Sequence, residues 1–220
     1  MPAPVTERRR LAPDARRAEI VEAAAGLFGA RPYPELGVAE VARAAGITQG
    51  LVYHYFPTKT ALYAAAFAHL SGRLLAATLP DGRGALVEQA RAGVRGYLRF
   101  AEDNRVAYLN LFRGATLLEP EFLAIAEDTR RTIVERTLEA LALGRRKAPV
   151  TRLALRGYLG AAESVTLEWL ATGAPSRDAV ERLQLVALCT ALVTGLAEDG
   201  IVPAAMGSLA AFEQAFLAAV

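Results

Sequence analysis

Residues 46–56 read GITQGLVYHYF, and Pro57-Thr58-Lys59 follows at once. The rest of the chain is built mainly from Ala, Leu, Val, Arg and Glu. Here a Gly and a Thr open a very short segment, three aromatics and a His crowd it, and a Pro closes it. A helix this short is marginal in water by itself, so its neighbours must hold it. With Thr48 as N-cap and about 100° per residue, Gln49, Gly50, Tyr53 and His54 cover one side, and Leu51, Val52, Tyr55 and Phe56 cover the other. The apolar side predicts packing on adjacent short helices. The polar side needs a partner of its own.

Double-stranded DNA is such a partner. A helix fits the major groove, and Gln bonds an adenine edge in a bidentate way. Gly50 removes a side chain where another surface must come close. Tyr53 and His54 reach phosphate oxygens. Thr48 sets its hydroxyl at the positive end of the helix, which suits a phosphate, and Lys59 adds a cation. A preceding short helix and a turn at Gly46 complete a helix-turn-helix, in which the second helix reads bases. A short packing helix in a bundle accounts for Leu51, Val52, Tyr55 and Phe56, but leaves the polar face and Lys59 unexplained.

Around this stretch the chain reads as all-α. Period-2 alternation is absent and apolar residues recur at i, i+3 and i+4. A basic, flexible arm is expected at 1–13, where Arg8, Arg9 and Arg10 either follow DNA or stay in solvent. The helix-turn-helix unit is expected at 14–57, with helices at 14–28, 38–45 and after Thr48, and a break at 29–37 carrying Pro32 and Pro34. A larger helical unit is expected at 58–220. Thr58 caps its first, long helix to about 79, and helices follow at about 84–102, 105–113, 119–143, 150–172, 176–197 and 209–219.

Composition narrows the class. Net charge is +2, but residues 1–60 hold eight Lys/Arg against six Asp/Glu, and the rest of the chain is balanced. The positive excess therefore lies at the end with the polar-faced helix, as a polyanionic partner requires. One cysteine, Cys189, excludes an internal disulfide framework and fits a reducing cytoplasm. The N-terminal segment has no apolar core behind its charges, so no secretory signal is expected. The uncharged run at 183–197 is shorter than a membrane span and carries Gln184, Thr190 and Thr194, so a buried helix and no membrane partner are expected. His54, His69 and Cys189 lack zinc spacing. No Ser/His/Asp set and no phosphate- or dinucleotide-binding glycine loop is present, so no enzyme, metal or cofactor is expected.

The stretches RRAEIVEAAAGLF and GVAEVARAAGITQGLVYHYFPTKTALYAAAF resemble the tetracycline-repressor (TetR) family of bacterial transcription regulators over about residues 16–67. The run Gly50-x-x-Tyr53-His54-Tyr55-Phe56-x-x-Lys59-x-x-Leu62 is similar to the family's signature. The resemblance implies DNA contacts from Thr48, Gln49, Gly50, Tyr53, His54 and Lys59. It also implies a homodimer on a palindromic operator, released by a small-molecule effector bound in the C-terminal bundle. Two departures stand out. Gly37 replaces the usual Ser or Thr cap, and Ala39 replaces a basic or polar residue, which leaves Arg31, Arg43 or the arm to compensate.

In the C-terminal unit, Tyr97, Phe100, Asn104, Tyr108, Phe112, Phe122, Tyr158, Glu163 and Trp169 are the candidate ligand-binding residues, with Asn110 and Arg113 nearby. They imply a largely apolar effector, acyl or aromatic. An ordinary core explains the same aromatics. The helix at 176–197 is apolar on most sides, so Val165, Leu185, Leu188, Cys189 and Leu192 are the candidate dimer contacts, with burial inside one chain as the alternative. Beside the repressor reading stand a helical protein-interaction adaptor and an enzyme without recognisable catalytic motif.

Overall fold

The computed structural model describes residues 12–28, 31, 35–79, 84–113, 120–143, 148–203 and 206–218. Arg8, Arg9, Arg10, Pro32 and Pro34, and the side chains of Asn110 and Arg113, lie outside what is described. The described residues form α1 (Pro13–Phe28), α2 (Val38–Ala44), α3 (Gln49–Tyr55), α4 (Lys59–Thr78), α5 (Leu86–Asp103), α6 (Arg105–Arg113), α7 (Pro120–Ala140), α8 (Pro149–Thr172), α9 (Arg177–Glu198) and α10 (Leu209–Ala218), with no strand among them. The all-α reading holds, and its breaks fall where Gly, Pro and Asn interrupt the 3.6-residue period. Asp14 lies inside the first turn of α1, where its charge faces the positive end of the helix.

Two clusters of buried side chains organise the chain. In the first, Ile20 and Ala24 of α1, Val41 of α2, Val52 and Phe56 of the α3 region, and Leu62, Tyr63 and Phe67 of α4 pack together. Ala107 of α6 and Phe122 and Ala126 of α7 join them. The second cluster is drawn from α5 to α10, with Leu98, Leu138, Leu155, Leu185, Leu196 and Phe216. The first core thus draws on α6 and α7 as well as on the short helices.

The second unit depends on close backbone approach. A Cβ on Gly96 of α5 would stand 1.8 Å from the Ala77 carbonyl oxygen of α4. A Cβ on Gly195 of α9 would stand 2.5 Å from Thr151 Cα of α8. That second approach brings in a cap. Ala148 leaves α8 with no side-chain cap of its own. The Asp199 carboxylate, at the end of α9, accepts from Val150 N (3.1 Å), Thr151 N (2.8 Å) and Thr151 Oγ1 (2.7 Å). It neutralises the start of α8 from across the helix pair.

Gly195→Ala forces α8 and α9 apart and draws Asp199 off its amides. A loss of about 1–3 kcal/mol is expected, as for overpacking in a filled core. In urea titration the unfolding midpoint falls while the slope stays the same.

Candidate nucleic-acid interface and ligand cavity

The turn between α2 and α3 is built by Gly46. Its φ is +64°, a left-handed conformation that glycine adopts without a Cβ penalty. Ile47 N bonds Ala42 O at 2.9 Å and Gly46 N bonds Arg43 O at 3.1 Å, the paired pattern that closes a helix on a left-handed residue. Ile47 then tucks against the first core. Thr48, in extended backbone, begins α3 by accepting from Leu51 N at 3.2 Å.

The two faces separate as the periodicity requires. Val52 is fully buried and Phe56 nearly so, while Leu51 and Tyr55 are half-buried. Burial of Val52 and Phe56 is worth roughly 1.5–3 kcal/mol each, which anchors a helix of two turns. Thr48, Gln49, Gly50, Tyr53 and His54 are exposed, Tyr53 at 42%. The His54 and Tyr55 rings meet edge to face, 5.3 Å apart.

Gly50 carries the most information on this face. It sits inside a helix, where glycine costs about 1 kcal/mol relative to alanine. Yet a Cβ there would meet no atom of the chain within 4 Å. Nothing inside the fold fills the space of the missing side chain, which leaves the helix backbone open to an approaching surface.

Lys59 opens α4, half-buried, with Nζ 5.9 Å from the Tyr63 ring centroid. Thr58 caps α4 through Ala61 N at 3.0 Å. Arg17 stacks its guanidinium 4.9 Å over Phe56. Gly37 makes no side-chain cap for α2, and Ala39 is exposed with nothing to offer a phosphate. Arg31 does not replace it, because its guanidinium pairs with Glu40. Arg43 stands exposed in the last turn of α2.

The second unit encloses a cavity of about 350 Å³. Leu86, Val94, Ile133, Leu155, Leu188 and Phe212 are typical of its walls. Its exposed edge is the α7 stretch of Arg136, Glu139 and Ala140, near Thr78 and Leu79 at the end of α4. Farther along α5 and α8 it meets Tyr97 and Tyr158. The Tyr97 hydroxyl pairs with the Tyr108 hydroxyl. Burial pushes the Tyr97 phenol up to about 12, against the lowering hydrogen bonds from Thr166 and Tyr108, and it raises Tyr108 and Tyr158 as well. Glu163 does not face the cavity as a free charge. It holds Arg130 at Nε (3.0 Å) and at Nη2 (2.6 and 2.9 Å), and Glu127 takes Arg130 Nη1 at 2.6 Å.

Of the nine residues expected at a ligand, Tyr97 and Tyr158 line this cavity. Phe100, Asn104, Tyr108 and Phe112 surround a separate void of about 10 Å³ beside α4, too small for more than one water. Phe122 is fully buried against Phe67 and Trp169 is buried in the second core, so neither lines a site. His69 bonds Glu22 of α1 at 2.8 Å. The expected dimer contacts need the same correction. Leu185, Cys189 and Leu192 are buried within the chain, Val165 and Leu188 pack on the second core, and Leu188 and Leu192 line the cavity. Burial pushes the Cys189 thiol up to about 11, so it stays neutral and acts as packing. A helix apolar on most sides does not show in its sequence which side is inside. The exposed faces are Leu153, Gly157, Gly160, Ala161 and Ser164 on α8, and Leu183, Val186, Thr190 and Thr194 on α9.

By length and composition α9 would cross a membrane. It is instead the central helix of the second core, with Gln184 and Glu181 buried along it. No group of residues that could hold a metal occurs among the described residues.

Residues 20–66 match the family model for bacterial regulatory proteins of the tetR family, and residues 86–192 match that for the tetracyclin repressor-like C-terminal domain. The HTH-type transcriptional activator FasR of Mycolicibacterium smegmatis is 29% identical over 121 residues, 52% of this chain and 53% of that protein. The chain thus spans about half the length of this curated relative. A tetR-family regulator from Streptomyces coelicolor superposes with a TM-score of 0.77 at 26% identity, over 94% of this chain and 90% of the other. A TetR-like regulator from Rhodococcus sp. RHA1 does so at 0.61 and 25%, over 83% and 98%. With both halves matched, and with a capped helix-turn-helix whose polar face points outward, the chain belongs to the tetR family of DNA-binding transcriptional regulators, which are not enzymes.

Proposed function

We propose that this protein is a cytoplasmic repressor that binds a palindromic operator as a homodimer and is released by a small, largely apolar effector. The observation that carries the reading is α3: a helix held by Val52 and Phe56, with a glycine its own fold does not need on the outward face. On DNA, Gln49 reads a base edge, Gly50 lets the backbone approach, and Thr48, Tyr53, His54 and Lys59 hold phosphates. Arg43 is the cation best placed to supply what Ala39 lacks.

A dimer joins the exposed faces of α8 and α9. Gly157 and Gly160 have open space where a Cβ would be, and on α9 Leu183 and Val186 are 54% and 38% exposed. Small residues on one helix and apolar ones on the other allow close packing in a two-fold, self-complementary arrangement. Two half-sites are needed because one α3 offers too little surface for tight specific binding.

Two physical links run from the cavity to the reading head. α4 carries Thr78 and Leu79 at the cavity and Lys59 beside α3, about 28 Å apart along one helix. The second link is aromatic. Tyr97 in the cavity wall bonds Tyr108 of α6, whose ring lies 4.7 Å from Phe112, and Phe112 meets Phe67 of the first core at 6.1 Å. An effector that favours one arrangement of α5 and α6 therefore biases the set of α4 and α3.

A footprint on the DNA upstream of the protein's own reading frame, paired with a transcription assay, tests the whole reading. Protection of a palindrome overlapping the promoter, with transcription falling as protein is added, is expected. Protection upstream with rising transcription would make the protein an activator, as the name of its Mycolicibacterium relative describes that protein.

Tyr53→Ala and Lys59→Ala are each expected to weaken operator binding about tenfold or more at constant thermal stability, since each loss occurs in both half-sites. Lys59→Ala also flattens the dependence of log K on log salt by about one unit per lost phosphate contact. Val186→Arg places a charge in the shared face. Light scattering is expected to show a monomer, and operator affinity to fall to that of a single half-site.

A further inference from the structure

The cavity differs at its two ends, and the difference bears on what fills it. Its exposed edge, along α7, carries charges of both signs in Arg136 and Glu139. The walls between are mainly aliphatic, with Gln89 and Thr137 among them. The inner end is closed by Tyr97 and Tyr158, which lie close enough for their ionisations to oppose one another.

Behind that inner end the hydroxyls and charges are already paired, while Gln184 Oε1, an acceptor, is buried without a hydrogen-bond partner. The Tyr97 hydroxyl is taken by Tyr108 and by Thr166. The Thr166 hydroxyl also accepts from Gln184 Nε2 at 2.8 Å. Arg130 is held by Glu163 and Glu127 together, and Glu127 also takes Arg156 Nη2 at 2.7 Å, so two carboxylates meet two guanidiniums. An anion placed here would meet a balanced cluster whose guanidiniums are already paired, which is a heavy cost in an apolar surround. Tyr158 stands apart as a donor on the cavity wall. Among the described residues its hydroxyl has no hydrogen-bond partner, although it lines the cavity. Tyr158 is half-buried, and an acceptor oxygen brought to its hydroxyl on the apolar cavity wall gives it a hydrogen bond. Burial holds this phenol neutral well beyond physiological pH, so it is available as a donor.

We propose that the cavity takes an uncharged, elongated apolar molecule carrying a hydrogen-bond-accepting oxygen, such as a ketone, ester or lactone, and that Tyr158 donates to this oxygen at the inner end. The proposal deepens the reading of the cavity as the effector site and rests on it. Tyr158 then selects for chemical class, since a plain hydrocarbon fills the walls but leaves the hydroxyl unpaired. A fatty acid fits only with its carboxylate out at Arg136 and its tail against Tyr158, which leaves the same hydroxyl unpaired.

The purified full-length protein is titrated calorimetrically with 2-decanone, decane and decanoate, without DNA, so that the result is independent of operator binding. In the parent protein 2-decanone is expected to bind about fivefold or more tighter than either of the others, the worth of one net hydrogen bond. Tyr158→Phe is expected to lose that advantage, binding 2-decanone and decane alike, and to melt with the parent. Arg136→Gln leaves 2-decanone binding unchanged. The proposal is overturned if Tyr158→Phe binds 2-decanone as tightly as the parent. It is also overturned if decanoate binds best and Arg136→Gln abolishes that binding. If Tyr158→Phe melts early, the parent's preference for ketone over hydrocarbon decides alone. If none of the three binds the parent, the effector-site reading of the cavity falls with the proposal, while the DNA-binding reading stands.

Discussion

A helix of two turns cannot hold itself in water, and it cannot read a groove if it is covered. α3 resolves both demands by being anchored from one side only. Val52 and Phe56 sink into the first core while Thr48, Gln49, Gly50, Tyr53 and His54 face outward. The rest of the first unit follows from that anchoring. α1 and α4 supply the floor, Gly46 sets the angle of entry from α2, and Thr48 satisfies the amides that the turn leaves open. The stabilising face and the recognising face are therefore coupled, because any movement of the floor moves the reading surface with it.

The floor is shared with the second unit. α4 runs from the side of α3 to the edge of the cavity, and the first core also takes in Ala107, Phe122 and Ala126 from α6 and α7. A close-packed interior transmits displacement because it has little free volume to absorb it. The hydroxyl pair Tyr97–Tyr108 sits where the cavity wall meets this shared packing. At the far end, the Gly195–Thr151 approach and the Asp199 cap lock α8 to α9. The unit thus has one rigid pair of helices and one wall, α5 to α7, that faces both the cavity and the DNA-reading half.

Most of the helices were legible in the sequence, because amphipathic periodicity and its Gly, Pro and Asn breaks are local. The same holds for the polar face of α3, since a helical wheel places Gln49, Gly50, Tyr53 and His54 together whatever surrounds them. The cavity was not legible. Tyr97 and Tyr158 stand 61 positions apart and meet Leu188, Leu192 and Phe212 only after α5, α8, α9 and α10 have packed. Phe122 and Trp169 look like ligand-binding aromatics in the sequence and are core residues in space, because an aromatic side chain buries equally well against protein or ligand.

What the sequence determined by itself is the set of elements whose chemistry is local: the all-α class, the turn at Gly46, the capped reading helix, and the concentration of positive charge in the first sixty residues. Only the tertiary structure decided which side of α9 is inside, which charges are spent on partners, and which hydroxyl is left over. Arg31 and Glu163 read as available charges along the chain and are paired in the fold, with Glu40 and Arg130. Tyr158 reads as one aromatic among many and is the phenol in the cavity wall with no partner among the described residues. The physical reason is that burial and hydrogen-bond satisfaction depend on residues distant in sequence, and become defined only when the helices close on one another.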